Sequence, residues 1–212
     1  MDTFVNKNKQ TNDKKVIMIA PHHSLTGGFN NILSLSNFDR YAELFLSLPD
    51  MYPNINFIFR PHPALFLFLS KNENWGNEKV NSYILKMKSK KNVIYSNGGD
   101  YFEEFSQSDA LIDDCGSYLV EYFYTQKPQC YLLKKEADIN NKFIEFGKKC
   151  LSYCYIAYNE KDIIQFIEDV VIRENDIKKD QRIHFAKENI MYNYQYASDN
   201  IIQYFKNIFE IH

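Results

Sequence analysis

Six short apolar runs recur along this chain, each too short to make a stable helix of its own. They are Val16–Ala20 (VIMIA), Ile55–Phe59 (INFIF), Val93–Tyr95 (VIY), Ala110–Ile112 (ALI), Gln129–Leu133 (QCYLL) and Tyr153–Ala157 (YCYIA). Short apolar runs bounded by turn residues read as buried strands. Helical spacing fills the intervals over Asp39–Leu48, Ala64–Leu69, Glu78–Lys88, Tyr101–Phe105, Tyr118–Tyr124 and Ile139–Lys149, with Pro49 expected to stop the first of these helices. Three more helical patterns close the chain near Asp162–Ile172, Lys178–Met191 and Ser198–Phe209. Strands joined through helices require crossovers, which makes the sheet mostly parallel and covers both of its faces. The expected fold class is α/β, a doubly wound sheet with helices on both faces, over residues 16–212. Residues 1–15 are polar and aperiodic, and read as a disordered tail or an interdomain linker.

Composition narrows the function classes. With 17 Phe and 16 Tyr in 212 residues, one large core is available. The net charge of −2 and the scattering of Lys and Arg among acids argue against duplex nucleic acid as a partner. No apolar run approaches the roughly 20 residues that span a bilayer. The absence of a charged–apolar–small leader points to a cytoplasmic protein. Four cysteines (Cys115, Cys130, Cys150, Cys154) do not make a disulfide framework, and Cys150 with Cys154 has no second ligand pair for zinc.

In doubly wound folds ligands bind beyond the carboxyl ends of the strands. Each chemically suggestive cluster falls there. His22 and His23 follow the first strand in a loop that also carries Gly27 and Gly28. Arg60-Pro61-His62-Pro63 follows the second, Gly98-Gly99 the third, and Asp113 to Ser117 the fourth. The prolines around His62 fix the backbone, so a guanidinium suited to phosphate and an imidazole able to move protons near neutral pH are presented together; the structural alternative is Arg60 in an ion pair and His62 as a cap. Of His22 and His23, one is expected to be functional and the other to hold the loop.

The stretch Ser108–Pro128 (SDALIDDCGSYLVEYFYTQKP) joins a strand, an acidic pair, a tight turn at Gly116 and a helix with Ser117 as N-cap. The unpaired N–H groups at such a helix start attract anions, although a plain turn and cap has the same appearance. Glu121, one turn on from Ser117, is placed to accept from a ribose diol, or to be a surface carboxylate. Asp113 and Asp114 make a divalent metal possible, but adjacent carboxylates point apart. No GxxxxGK[ST] loop and no GxGxxG fingerprint is present, so neither a P-loop ATPase nor a Rossmann dehydrogenase is expected. The aromatic residues of the closing helices (Tyr192, Tyr194, Tyr196, Tyr204, Phe205, Phe209) suit a membrane surface or, as expected here, packing on the sheet.

The ordered set APHHS (Ala20–Ser24), RPHP (Arg60–Pro63) and the Ser108–Pro128 stretch resembles the donor-binding half of CDP-glycerol glycerophosphotransferases, the teichoic-acid-type polymerases and primases with a GT-B fold. Arg60 and His62 match that family's R-x-H-P turn. Asp109, Asp114, Ser117, Lys127 and Pro128 match its S-D-x-L-I-T-D-Y-S-S…K-P pattern, with Glu121 near its acidic helix position. Asp113 stands where the family has Thr, Cys115-Gly116 where it has Tyr-Ser, and His22-His23 in a loop that is P-T-W-R-like in many members. The resemblance spans residues 16–133.

The resemblance implies transfer of a glycerophosphate-type group from a CDP-linked polyol donor to a sugar or polyol hydroxyl, free or lipid-linked, in a cell-surface polymer such as teichoic acid or capsule. Under it, Arg60, Asp114, Cys115, Gly116, Ser117 and Glu121 bind the donor, and His62, His22 and His23 are the catalytic candidates. No cofactor is expected beyond the CDP-linked donor, with a divalent metal left open; the resemblance implies a cytoplasmic or peripheral place on the inner membrane face, and an acceptor-binding domain supplied separately or excised. Two alternatives stay open: a transferase using a UDP- or CMP-sugar, and a non-catalytic nucleotide-binding domain that serves a partner.

Overall fold

The computed structural model describes residues 14–25 and 34–209. Strands β1 (Val16–Ala20), β2 (Asn56–Phe59), β3 (Val93–Tyr95), β4 (Ala110–Asp113), β5 (Gln129–Leu132) and β6 (Tyr155–Ala157) form one parallel sheet in the order β3-β2-β1-β4-β5-β6. Helices α1 (Phe38–Met51), α2 (Leu65–Leu69), α3 (Gly76–Lys88), α4 (Phe102–Gln107), α5 (Gly116–Glu121), α6 (Ala137–Lys142), α7 (Glu145–Ser152), α8 (Glu160–Gln165), α9 (Lys179–Asn189) and α10 (Ala197–Phe209) lie between and after the strands, with a 3-10 turn at Tyr122–Thr125 after α5 and a π-helical stretch at Phe166–Ile172 after α8. The expected doubly wound α/β class is the one observed.

Period-two alternation sorts the strand side chains between two layers. Ile17, Ile19, Phe57, Phe59, Ala110, Ile112, Cys130 and Leu132 face a layer built on α1, α2, α3 and α8. Met18, Ala20, Ile58 and Leu111 face Phe105 of α4 and Tyr122, while Tyr131 and Leu133 pack with α5, α7 and α9. In the central strands, where both faces are covered, the sequence reads as nearly continuous apolar runs; the edge strand β3 is less covered, and its Ile94 is exposed.

Four local expectations are corrected. Pro49 lies inside α1, which runs on to Met51, since a proline in the last turn costs only one internal bond. Residues 139–149 are not one helix: Phe143 and Ile144 are extended, and α7 starts afresh after Ile144. Cys115, not Ser117, is the residue before the first turn of α5, and that helix passes after Glu121 into a 3-10 turn, Tyr122–Thr125. The closing aromatic residues do not pack on the sheet. No residue of α10 is buried, and Tyr192, Tyr196, Tyr204, Phe205 and Phe209 are exposed. Tyr194 makes a ring contact with Tyr124, at 5.8 Å.

The lysine of the K-P exit has a plain structural use. Lys127 Nζ donates to the carbonyls of Phe105, Ser106 and Ser108 at 3.2, 2.7 and 2.5 Å. A cation there satisfies carbonyls that the end of α4 leaves open. Of the polar opening segment only Lys14 and Lys15 fall among the described residues, and Lys15 O accepts the Asn56 N–H at 2.8 Å. Gly27 and Gly28 lie outside the described residues.

Candidate functional site

The strand order reverses between β1 and β4, and that switch point is where an open parallel sheet leaves a crevice. The local chain path then comes from register. Ile19 pairs with Phe59, and the pairing continues past the strand ends: Arg60 N–H donates to Ile19 O at 2.8 Å and His62 N–H to Pro21 O at 3.0 Å. On the other side Ala20 pairs with Asp113, and Asp114 accepts the His22 N–H at 2.6 Å. Three strand ends are thereby tied together, and residues far apart in sequence meet. They line a cleft of ≈ 260 Å³ that includes His22, Arg60, His62, Gly98, Gly99, Tyr101, Cys115, Ser117 and Tyr118. Complete small-molecule sites enclose roughly 300–1,000 Å³. This cleft falls just below that range.

The three candidate histidines converge. Ring centroids are 4.2 Å apart for His22–His23, 3.9 Å for His23–His62 and 5.3 Å for His22–His62. Phe68 stacks on the outer side of His23 at 5.7 Å. Local bonds orient two of the rings: His22 Nδ1 lies 2.8 Å from Ser24 Oγ and accepts the Ser24 N–H at 3.2 Å, and His62 Nδ1 accepts the Ala64 N–H at 3.1 Å. A nitrogen that accepts a backbone N–H carries no proton, so neutral His62 has its proton on Nε2. Burial, with smaller repulsion from His23 and His62, lowers the His22 pKa to about 4. Burial lowers His23 and His62 as well. All three rings are therefore uncharged at neutral pH.

Asp113 and Asp114 are buried and face inward. Asp113 accepts from Gln129 Nε2 at 2.8 Å and from the Cys115 N–H at 3.1 Å. Asp114 accepts the N–H groups of His22 and Asn37 at 2.6 and 2.5 Å, so it fixes the start of the histidine loop and the start of α1. Burial raises Asp114 to about 6 against those bonds. Cys115 Sγ is 3.3 Å from Ser117 Oγ, and burial holds its thiol above the ordinary range, in the protonated form.

Arg60 is 6% exposed and its guanidinium is engaged on three sides. Nη1 donates to Glu104 Oε1 at 2.6 Å and Ser96 Oγ at 2.7 Å, Nη2 to Gly99 O at 2.5 Å, and Nε to Tyr118 Oη at 3.3 Å. It borders the cleft as the post around which the glycine loop is wrapped. Gly98 and Gly99 have φ of 98° and 83°, a region that favours glycine, and this shape brings their carbonyls to the guanidinium. Glu121 lies outside the cleft lining, where Tyr101 Oη donates to its Oε2 at 2.7 Å. Sequence reading missed Glu104, Ser96, Tyr101 and Tyr118. Glu104 is 44 residues from its partner, and no local pattern announces it.

Opposed titrations at this junction give the first prediction. His22 binds its proton more tightly unfolded (6.5) than folded (about 4), so its share of stability falls as pH drops through that window and levels off below it. Asp114 has the opposite sign: its carboxyl is protonated first in the folded state, so acidification between about 6 and 3.8 favours folding there. His22→Asn removes the first contribution only. In urea titrations at pH 7, 6, 5 and 4 it is expected to lose less stability on acidification than the parent. An unchanged slope would exclude His22 as the proton acceptor.

Neither the family models nor the curated proteins searched match the sequence. Solved structures do match the fold. A variant of the wall teichoic acid polymerase TagF superposes with a TM-score of 0.56 at 18% identity, over 89% of this chain and 42% of that one. A UDP-GlcNAc 2-epimerase from Neisseria meningitidis bound to UDP-GlcNAc gives 0.54 at 16%, over 92% and 44%. A putative UDP-N-acetylglucosamine 2-epimerase from Listeria monocytogenes gives 0.57 at 14%, over 99% and 51%. This chain has the fold of one half of a GT-B protein. It spans about half the length of the solved structures it matches. Among the described residues no helix is long and apolar enough to cross a membrane.

Proposed function

We propose that this chain is the donor-binding half of a GT-B transferase that takes a CDP-linked polyol and passes a glycerophosphate-type group to a sugar or polyol hydroxyl. The observation that carries this reading is the meeting of His22 and His62 with the first turn of α5 at the β1/β4 switch point. The sequence motifs on those same three loops support it, as does the likeness to TagF in fold. In the reaction the acceptor oxygen bonds to the β-phosphorus, and the bond from that phosphorus to the bridging oxygen breaks. CMP leaves, and the hydroxyl proton passes to a base, assigned to His22 or His23. Such transfers depend on positioning and charge stabilisation more than on covalent chemistry. His62 Nε2–H and Ser117 serve the diphosphate; Arg60 and Asp114 hold the loops that carry them. Glu121, with Tyr101, is assigned to the ribose side of the donor. Proteins of this fold also hold UDP-linked ligands, as the UDP-GlcNAc-bound epimerase does, so donor choice needs a direct test.

A thermal-shift panel of CDP-glycerol, CDP-ribitol, UDP-GlcNAc, another UDP-sugar and CMP supplies it. Stabilisation by the CDP-polyols and CMP, and none by UDP-sugars, is the expected pattern. Preference for UDP-sugars would move the chain to a sugar transferase. No shift with any nucleotide would end the donor-binding reading.

A further inference from the structure

We propose that His22, His23 and His62 form a seat for one divalent transition-metal ion, with its remaining position open to the cleft. One ring nitrogen from each histidine lies within 4.8 Å of the others, and all three side chains are half-buried. Nitrogens 2.0–2.1 Å from a tetrahedral ion are roughly 3.3 Å apart, so small ring rotations close the set. Imidazole suits zinc, cobalt and nickel, and three protein nitrogens plus one open position is the pattern of a reactive site, not of a closed structural one. The backbone holds the rings close. The loop after β1 and the loop after β2 are joined by the His62 N–H to Pro21 O bond, and Asp114 anchors His22 from behind.

The surroundings of each ring are consistent with ligation. Ser24 Oγ, 2.8 Å from His22 Nδ1, can accept a hydrogen bond from an Nδ1–H when Nε2 takes an ion, which is how outer partners orient ligating histidines. His23 Nδ1 is buried with no hydrogen-bond partner among the described residues, so a Lewis acid can satisfy it. His22 and His62 must each exchange one bond when the ion replaces the Nε2 proton: Nδ1 of His22 gives up the Ser24 N–H, and Nδ1 of His62 gives up the Ala64 N–H. The cleft then keeps an electrophile where it had a hydrogen-bond donor. The seat does not depend on which donor, if any, the cleft binds.

The test is a cobalt(II) titration of the full chain in the absence of nucleotide, followed by displacement with zinc. One equivalent is expected to give the intense visible absorption of a nitrogen-ligated, low-coordinate ion. His23→Ala and His62→Ala should each weaken binding by at least about tenfold, the lower end of what even outer-shell changes cost. His184→Ala, on α9 and away from the cleft lining, should leave it unchanged. The weak spectrum of octahedral aqueous cobalt in the unaltered chain would overturn the proposal without any variant. So would equal affinity in a His23→Ala/His62→Ala double variant. The nucleotide panel is a separate experiment, so either reading can fail alone.

Discussion

Arg60→Ala is expected to lose about 3–5 kcal/mol of unfolding free energy, the usual cost of removing one partner of a buried ion pair. Arg60 and Glu104 have side chains only 6% and 18% exposed, so solvent compensates little. Glu104 is poorly provided for otherwise. Its Oε2 is buried without a partner among the described residues, and Oε1 has Arg60 and the Ser96 hydroxyl at 2.7 Å. Truncation leaves that carboxylate with one neutral donor and frees the carbonyls of Gly98 and Gly99. Urea denaturation of the parent, Arg60→Ala, Arg60→Lys and Arg60→Met/Glu104→Leu separates the contributions. Lysine should recover the charge but not the fork to two carbonyls and Tyr118, giving an intermediate loss. The apolar double variant should recover most of the stability, because no charge is orphaned. A loss under about 1 kcal/mol for Arg60→Ala would place the pair in the class of solvent-relaxed surface bridges. Any nucleotide-induced thermal shift should shrink in Arg60→Ala, since the loop that borders the cleft loses its post.

The same arginine shows where sequence reading reached and where it stopped. Arg60 was legible as a rim residue because Phe59 ends an apolar run and Pro61 restrains the turn behind it. Its partner was not, since Glu104 lies in the first turn of a six-residue helix and only tertiary packing brings it near. All six strands were legible: burial on both faces removes most polar residues from β1, β2, β4 and β5, while β3 and β6, less buried, are carried by their β-branched and aromatic residues. The strand order was not, as it depends on which crossover passes over which face. Asp114 was visible as part of a motif, yet its acceptance of N–H groups from residues 22 and 37 comes from tertiary packing: the β1/β4 register brings up residue 22, and the placement of the start of α1 brings up residue 37. The closing helices show the reverse failure. Periodicity announces that α10 has an apolar face, but it cannot say what covers that face, and within the described residues nothing does.

His62→Ala is expected to lower turnover by about 10²–10⁴-fold, the range for a positioned acid–base or proton-donating group, while changing CMP affinity only a few-fold. The ring is half-buried beyond the end of β2 and lines the cleft, so its truncation should leave the fold intact. What is lost is a donor at a fixed place. Nδ1 accepts the Ala64 N–H, the proton sits on Nε2, and burial together with repulsion from His23 keeps the ring uncharged. A neutral donor of this kind stabilises charge as it develops on phosphate oxygens, so its contribution rises from ground state to transition state. The assay requires the acceptor half and an acceptor, in metal-depleted buffer, so that a proton and not an ion occupies Nε2. His62→Gln offers an amide N–H from a similar distance and should restore part of the rate if donation is the function. If His62→Gln is as slow as His62→Ala, the ring must accept or relay a proton, and the base assignment moves to His62. If CMP affinity falls as far as turnover does, the residue binds donor and no more.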